Sequence, residues 1–355
     1  MTTKLAESTN PPESPDTFPP FAPSVVDRFL AWVSARSYPA WFFYFALLTY
    51  LIVIFNGLAW VDGTLQTGTF DLYRSSVPVY PVSVFALIHY LNHVARRALT
   101  AFRPALGAKD KDYKQLEYQL VTLPRNETIA TFALSLIFTA VYISFTPYLV
   151  DLFRRSFWLA FVEAIFYALA FGMIAVLFYH TIRQLRMVSH IHASATEVNL
   201  FRLTPLYAFS GLTAQTGIGL LLMNYFGVLT DPATFENLAL TALTVGASFI
   251  AIACFLLPLR GIHQRIVEEK KRLRTEASTR LEATIQQVYA RADSKKMRDA
   301  EQLNHLMTSL VTTRDIIDKI PTWPWEQGTL TSFVSALLLP FFVRLIVGLV
   351  GIYLL

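Results

Sequence analysis

Apolar residues in this chain gather into long unbroken runs rather than short alternating stretches. The clear runs are Trp41 to Val61, Ile129 to Val150, Phe157 to Tyr179, Leu206 to Leu229, Leu238 to Leu259 and Leu330 to Leu355. Each is about 20 residues or longer, enough for a helix to cross the roughly 30 Å hydrocarbon core of a bilayer. A further run, Val77 to Val94, contains Pro78, Pro81, His89, Asn92 and His93, so it is short and polar for a span. The segment Arg260 to Ile320 follows another rule. Ile262, Ile266, Leu273, Ala277, Leu281, Ile285, Val288 and Ala292 recur mostly every three or four positions, as do Met297, Ala300, Leu303, Met307, Leu310, Ile317 and Ile320. That is the period of amphipathic helices. One straight helix of this length would reach roughly 90 Å, so the segment is expected to fold back near Asp293-Ser294, where either residue can cap the returning arm.

The pattern predicts an all-α polytopic transmembrane bundle of seven spans, with a cytoplasmic helical hairpin before the last one. The expected divisions are a disordered Pro-rich tail at 1–24, a membrane region of six helices at 25–259 and the hairpin at 260–320. An interfacial elbow at 321–328 and a last transmembrane helix at 329–355 complete the chain. Within 25–37, Val26, Phe29, Leu30, Trp32 and Val33 alternate with Asp27, Arg28 and Arg36, which suits a short helix lying in the interface.

Composition agrees with the pattern. The chain is 54% hydrophobic and 15% charged, with a mean hydropathy of +0.43, far from the balance of a soluble domain. Its net charge of +5 therefore reads as basic cytoplasmic loops rather than nucleic-acid binding. If 77–94 spans, the basic groups from Lys4 to Arg36, from Arg96 to Arg125, from Arg183 to Arg202 and in 260–320 share one side. The N-terminus then lies in the cytoplasm and the C-terminus opposite, with Arg154 and Arg155 as the misfit on the outer side. The single cysteine, Cys254, excludes an intrachain disulfide. No basic leader precedes an apolar stretch at the N-terminus, and no Gly-rich phosphate loop occurs.

Few residues inside the runs carry chemistry. Glu163 and Arg344 are the ionisable groups well inside strong spans, both expected roughly 9 to 12 Å below the outer surface. An unpaired intramembrane charge is costly, so the two are expected to pair, within one chain or between copies, or to border a water-filled path. Asn56, Gln215 and Asn224 are neutral polar groups that tie helices together. Gly211, Gly217, Gly219 and Gly227 allow close approach along one run, and Gly246, Ala247, Ser248 and Ala251 offer a small-residue face on the next. Pro340 is expected to kink the last helix one turn before Arg344. The pairs His89/His93 and His190/His192 read as interfacial histidines rather than metal ligands, so no catalytic, cofactor or metal site is assigned. In the elbow, Pro321 and Pro324 stop the preceding helix, Trp323 and Trp325 suit the membrane interface, and Thr329 or Thr331 can cap the helix that follows.

A cytoplasmic N-terminus, seven spans, and an extended helical region before a last helix at the chain's end resemble the seven-transmembrane ion-channel superfamily that includes insect odorant and gustatory receptors. The family's tyrosine-containing signature does not occur in Leu330 to Leu355. The resemblance implies a homo-oligomer, commonly a tetramer, assembled through the cytoplasmic helices, with the last helix lining a cation pore. A small-molecule ligand is then an expected partner beside the lipid bilayer. A different class, a non-conducting scaffold or sensor that recruits a partner through the hairpin, fits the same sequence.

Overall fold

The computed structural model describes residues 19–106, 110–193, 199–230, 238–293 and 300–354, with side chains of 239, 240, 243, 291–293, 300, 341 and 343–354 outside that description. Among the described residues all regular structure is helical. The helices are α1 (Val25–Ser34), α2 (Ala40–Val61), α3 (Leu72–Ser76), α4 (Val79–Leu106), α5 (Asp110–Val121), α6 (Arg125–Phe145) and α7 (Pro147–Arg155). There follow α8 (Phe157–Ala193), α9 (Leu203–Thr230), α10 (Leu238–Leu256), α11 (Arg260–Asp293), α12 (Ala300–Lys319) and α13 (Gln327–Leu354). Among the described residues, five helical stretches are long and apolar enough to cross a membrane: α2, α6, α8, α9 and the rod that α10 and α11 form through a 3-10 turn at Leu257–Leu259.

Helix α9 is the axis of the bundle. Its most apolar window is 61% buried, against 17% for α6, and α4, α10 and α13 all pack on it. Phe209, Leu212 and Leu221 are fully covered there, whereas α6 presents Leu134, Ile137 and Phe138 outward, as a lipid-facing helix does. Along α9, Gly217 and Gly219 bring neighbouring helices closest. A Cβ on Gly217 would lie 2.6 Å from the Phe333 ring of α13 and 2.9 Å from the Ala251 carbonyl of α10, and one on Gly219 would lie 2.6 Å from Leu87 of α4. The small-residue face expected at Gly246 is not a tight contact, since nothing lies within 4 Å of its would-be Cβ. Ala251, the last member of that expected face, makes the close contact, through its carbonyl with Gly217.

Helix α4 explains why 77–94 looked weak. It runs to Leu106 and lies between α8 and α9, burying Val84, Ile88, Leu91, Ala95, Leu99 and Phe102. A helix enclosed by protein keeps polar groups that a lipid-facing one loses.

Several expectations are corrected. The run Ile129 to Val150 is two helices, because Pro147 forces Thr146 out of helical geometry (φ −94°, ψ 107°). Arg154 and Arg155 consequently end the short amphipathic α7, exposed, and not a span. The expected span from Phe157 continues to Ala193, roughly 55 Å at 1.5 Å per residue, because its polar second half faces α4 and α5 rather than water. Of the tail expected at 1–24, residues 1–18 lie outside the described residues, but Phe21 to Ser24 are docked. Pro23 bridges Pro124, Ser24 N donates to the Leu123 carbonyl at 3.0 Å, and Tyr118 Oη donates to the Phe21 carbonyl at 2.7 Å. Ser24 also caps α1 with Asp27 in a reciprocal box, and α1 ends at Ser34 rather than 37. Finally, α13 starts at Gln327, ahead of Thr329, and Thr331 Oγ1 donates to the Gln327 carbonyl within the helix, so neither threonine is its cap.

Helices α11 and α12 pair antiparallel. Arg274 meets Asp318 at 3.5 Å, Lys270 Nζ donates to the Asp318 and Ile320 carbonyls at 2.9 and 2.8 Å, and His263 Nδ1 is 2.9 Å from the Thr322 carbonyl. The turn expected at Asp293-Ser294 falls beside residues 294–299, outside the described residues.

Candidate functional site

Two of the polar residues singled out inside the runs, Asn56 and Glu163, converge on a five-residue helix that hydropathy leaves in a loop. Asp71 Oδ1 accepts from Arg74 N at 3.1 Å and starts α3. Arg74, Ser75 and Ser76 are then buried. Asn56 of α2 donates to Ser75 Oγ at 2.8 Å and to its own Ile52 carbonyl at 2.9 Å. Glu163 is paired, and its partner is Arg74 at 2.7 Å, with 0% and 4% of the two side chains exposed. Tyr148 of α7 completes a triangle: its hydroxyl accepts from Arg74 Nη2 at 2.8 Å and donates to Glu163 Oε2 at 3.1 Å. Arg344, the partner expected for Glu163, sits in α13 among the side chains outside the description. A guanidinium inside a loop sequence gives no hydropathy signal, so this pairing was not readable from the run pattern. Nor was the Pro147 break that delivers Tyr148, since the apolar run reads through it.

Helix α3 also floors a cavity of about 260 Å³. Tyr73, Tyr80, Tyr142, Tyr167 and Phe171 give it aromatic walls, and Asn224 of α9 adds an amide. Asn224 Nδ2 donates to the Thr244 carbonyl at 3.1 Å, which ties α9 to α10 as the sequence suggested. Tyr73 and Tyr142 hydroxyls are 3.4 Å apart, and the buried Tyr167 hydroxyl interacts with both. A largely apolar concavity with a few converging polar groups is the usual form of a small-molecule site. Gln215, by contrast, is not part of it, and its buried Oε1 has no partner among the described residues.

The elbow is built by ring stacking. Trp323 lies on His263 of α11 (4.0 Å, 13°) and on Trp325 (4.6 Å, 14°), Trp325 stacks on Phe255 of α10 (5.4 Å, 29°), and Phe255 on Phe333 of α13 (4.5 Å, 28°). Five rings thus join the base of the α11–α12 pair to the first turns of α13. Pro324 is buried beneath them and Pro321 is exposed at the end of α12. Further along α13, Tyr225 Oη of α9 donates to the Leu337 carbonyl at 3.1 Å, in the turn that Pro340 weakens by lacking an N–H. Neighbouring groups commonly satisfy carbonyls in such a turn.

The histidines do structural work. Ser34 Oγ donates to the Leu30 carbonyl, so it accepts from His89 Nε2 at 3.0 Å, and His89 Nδ1 accepts from Tyr44 Oη at 3.1 Å. His192 is packed between the rings of Phe102 and Phe209.

Regular structure that is all helical among the described residues, five stretches of it able to cross a bilayer, and a buried ion triangle are the organisation of a multi-pass membrane protein. No family model, curated protein or solved structure matches this chain.

Proposed function

We propose that the chain is the subunit of an oligomeric, ligand-gated membrane channel. In this reading α4 and α13 join the five apolar stretches to make seven spans. The N-terminus and the α11–α12 hairpin are cytoplasmic, and α13 borders a pore between copies. The observation that carries the reading is the position of α13. It rests on α9, with Phe333 reaching α10, and leaves Val334, Leu338, Leu339 and Phe342 outward, so its free face is available to a neighbouring subunit. The hairpin suits assembly, because Val267, Tyr289, Leu306, Val311 and Ile316 are exposed apolar side chains on otherwise charged helices. The tyrosine-walled cavity supplies a ligand site, and the ring stack couples hairpin to α13.

The test is single-channel recording of the purified protein in planar bilayers, together with crosslinking through Leu338→Cys. Ion conductance and a crosslinked ladder of subunits are expected. A monomer with no conductance overturns the proposal. The exposed hairpin residues equally favour a second reading, a scaffold that recruits a foreign helix. Deleting 260–320 separates the two, since a channel loses its own oligomer and a scaffold keeps its bundle and loses its partner.

A further inference from the structure

A second cavity, of about 650 Å³, opens between α1, α4 and α5. Its lining includes Arg28 of α1 and Asn92, His93 and Arg96 of α4, with Tyr118 of α5 and Asp27 beside them. The balance of charge favours an anion. Asp27 is the acid in this lining, and its Oδ2 is already committed to three donors: Ser24 N at 3.1 Å, Ser24 Oγ at 2.6 Å and Leu123 N at 3.0 Å. Arg96 keeps a loose, exposed pair with Glu117 at 3.5 Å. Arg28 has no counter-ion among the described residues. Asn92 is buried on the cavity floor, and its Oδ1 accepts from His180 Nε2 at 2.9 Å, which leaves its amide nitrogen as the donor for an occupant.

Two guanidinium groups from different helices and an amide lining one cavity are donors that match the oxygens of a phosphate group. Helix α1 buries Val26, Leu30 and Val33, and places Trp32 outward with Arg36 4.2 Å over its ring, the arrangement of an interfacial anchor. We propose that this cavity binds a phosphate-bearing anion, supplied either by an anionic lipid headgroup or by soluble phosphate, and that the bound anion fastens α1 to α4. The site does not depend on whether the chain conducts.

The experiment measures melting of the full-length protein in uncharged detergent. Four additives are titrated: short-chain phosphatidylglycerol, short-chain phosphatidylcholine, sodium phosphate, and sodium chloride at matched ionic strength. A saturable rise with phosphatidylglycerol beyond phosphatidylcholine identifies the lipid source, and a rise with phosphate beyond chloride identifies the soluble one. Either rise is expected to lose about thirtyfold in apparent affinity in Arg28→Gln/Arg96→Gln. Arg28→Lys/Arg96→Lys, which keeps charge without the fork, is expected to fall between, and the distant Arg155→Gln to match the parent. Both arginines are exposed, so these variants leave the core intact. No rise beyond the matched controls, or an equal rise in the double glutamine variant, overturns the proposal.

Discussion

Replacing Glu163 by Leu and Arg74 by Met, singly and together, tests how the buried triangle holds α3. At 2.7 Å and an effective dielectric of about 20, the gross attraction between the two charges is about 6 kcal/mol. Both side chains are almost wholly out of water, so desolvation offsets several kcal/mol per ion. The net worth of the pair against an apolar pair of similar volume is then near zero, whereas either single replacement leaves one charge buried and costs about 3–5 kcal/mol. Tyr148 softens each loss slightly, because its hydroxyl can still donate to Glu163 or accept from Arg74. The double variant is therefore expected to recover most of what either single loses. Denaturant unfolding in mixed micelles gives the four free energies of the cycle. Should both singles unfold within about 0.5 kcal/mol of the parent, or the double be no better than the worse single, the triangle does not secure α3 and the reasoning fails.

At Gly217, Ala is expected to cost about 1–3 kcal/mol, because the Ala251 carbonyl at 2.9 Å is backbone and cannot step aside, while Gly246→Ala is neutral or better. Melting of the two variants side by side checks the contrast. Trp323→Ala is expected to loosen the elbow and Trp323→Phe to retain most of the stack; equal protection of the α12–α13 junction in both, by hydrogen exchange, would show that the rings carry nothing. Burial raises the Asp27 pKa above its ordinary value despite the hydrogen bonds from Ser24 and Leu123 that lower it. The native state therefore holds this proton more tightly than the unfolded chain. The resulting stability is complete below about pH 3.9 and is lost as pH rises through the raised value. Stability measured against pH in the parent and in Asp27→Asn should diverge in that window, and parallel curves refute the assignment.

The apolar runs announced helices α2, α9 and α10, and the three-to-four spacing announced α11 and α12, because in each case one face or the whole surface obeys a single solvent. Where a helix meets two surroundings, the pattern misleads. Helix α8 is lipid-facing at Ile165 and protein-facing at His180, which accounts for its unread second half. Pro147 was visible, yet an apolar run reads through it because hydropathy weighs composition and not backbone geometry. Glu163, Asn56 and Asn224 were legible as polar groups needing partners. Their partners were not, since Arg74 and Ser75 belong to a loop sequence and Thr244 contributes a main-chain carbonyl that no residue type advertises.

The stacked rings also impose an order on biogenesis. Phe255 and His263 are synthesised with α10 and α11, long before Trp323, Trp325 and Phe333 exist to cover them. During synthesis these two faces wait, and the α10–α11 rod must stay in place without its eventual neighbours. The column closes only once α12 has returned and α13 has reached α9, so it acts as the last fastening of the chain. Weakening it is then expected to appear first as nascent chains that fail to seat their final helix, rather than as a softer finished protein.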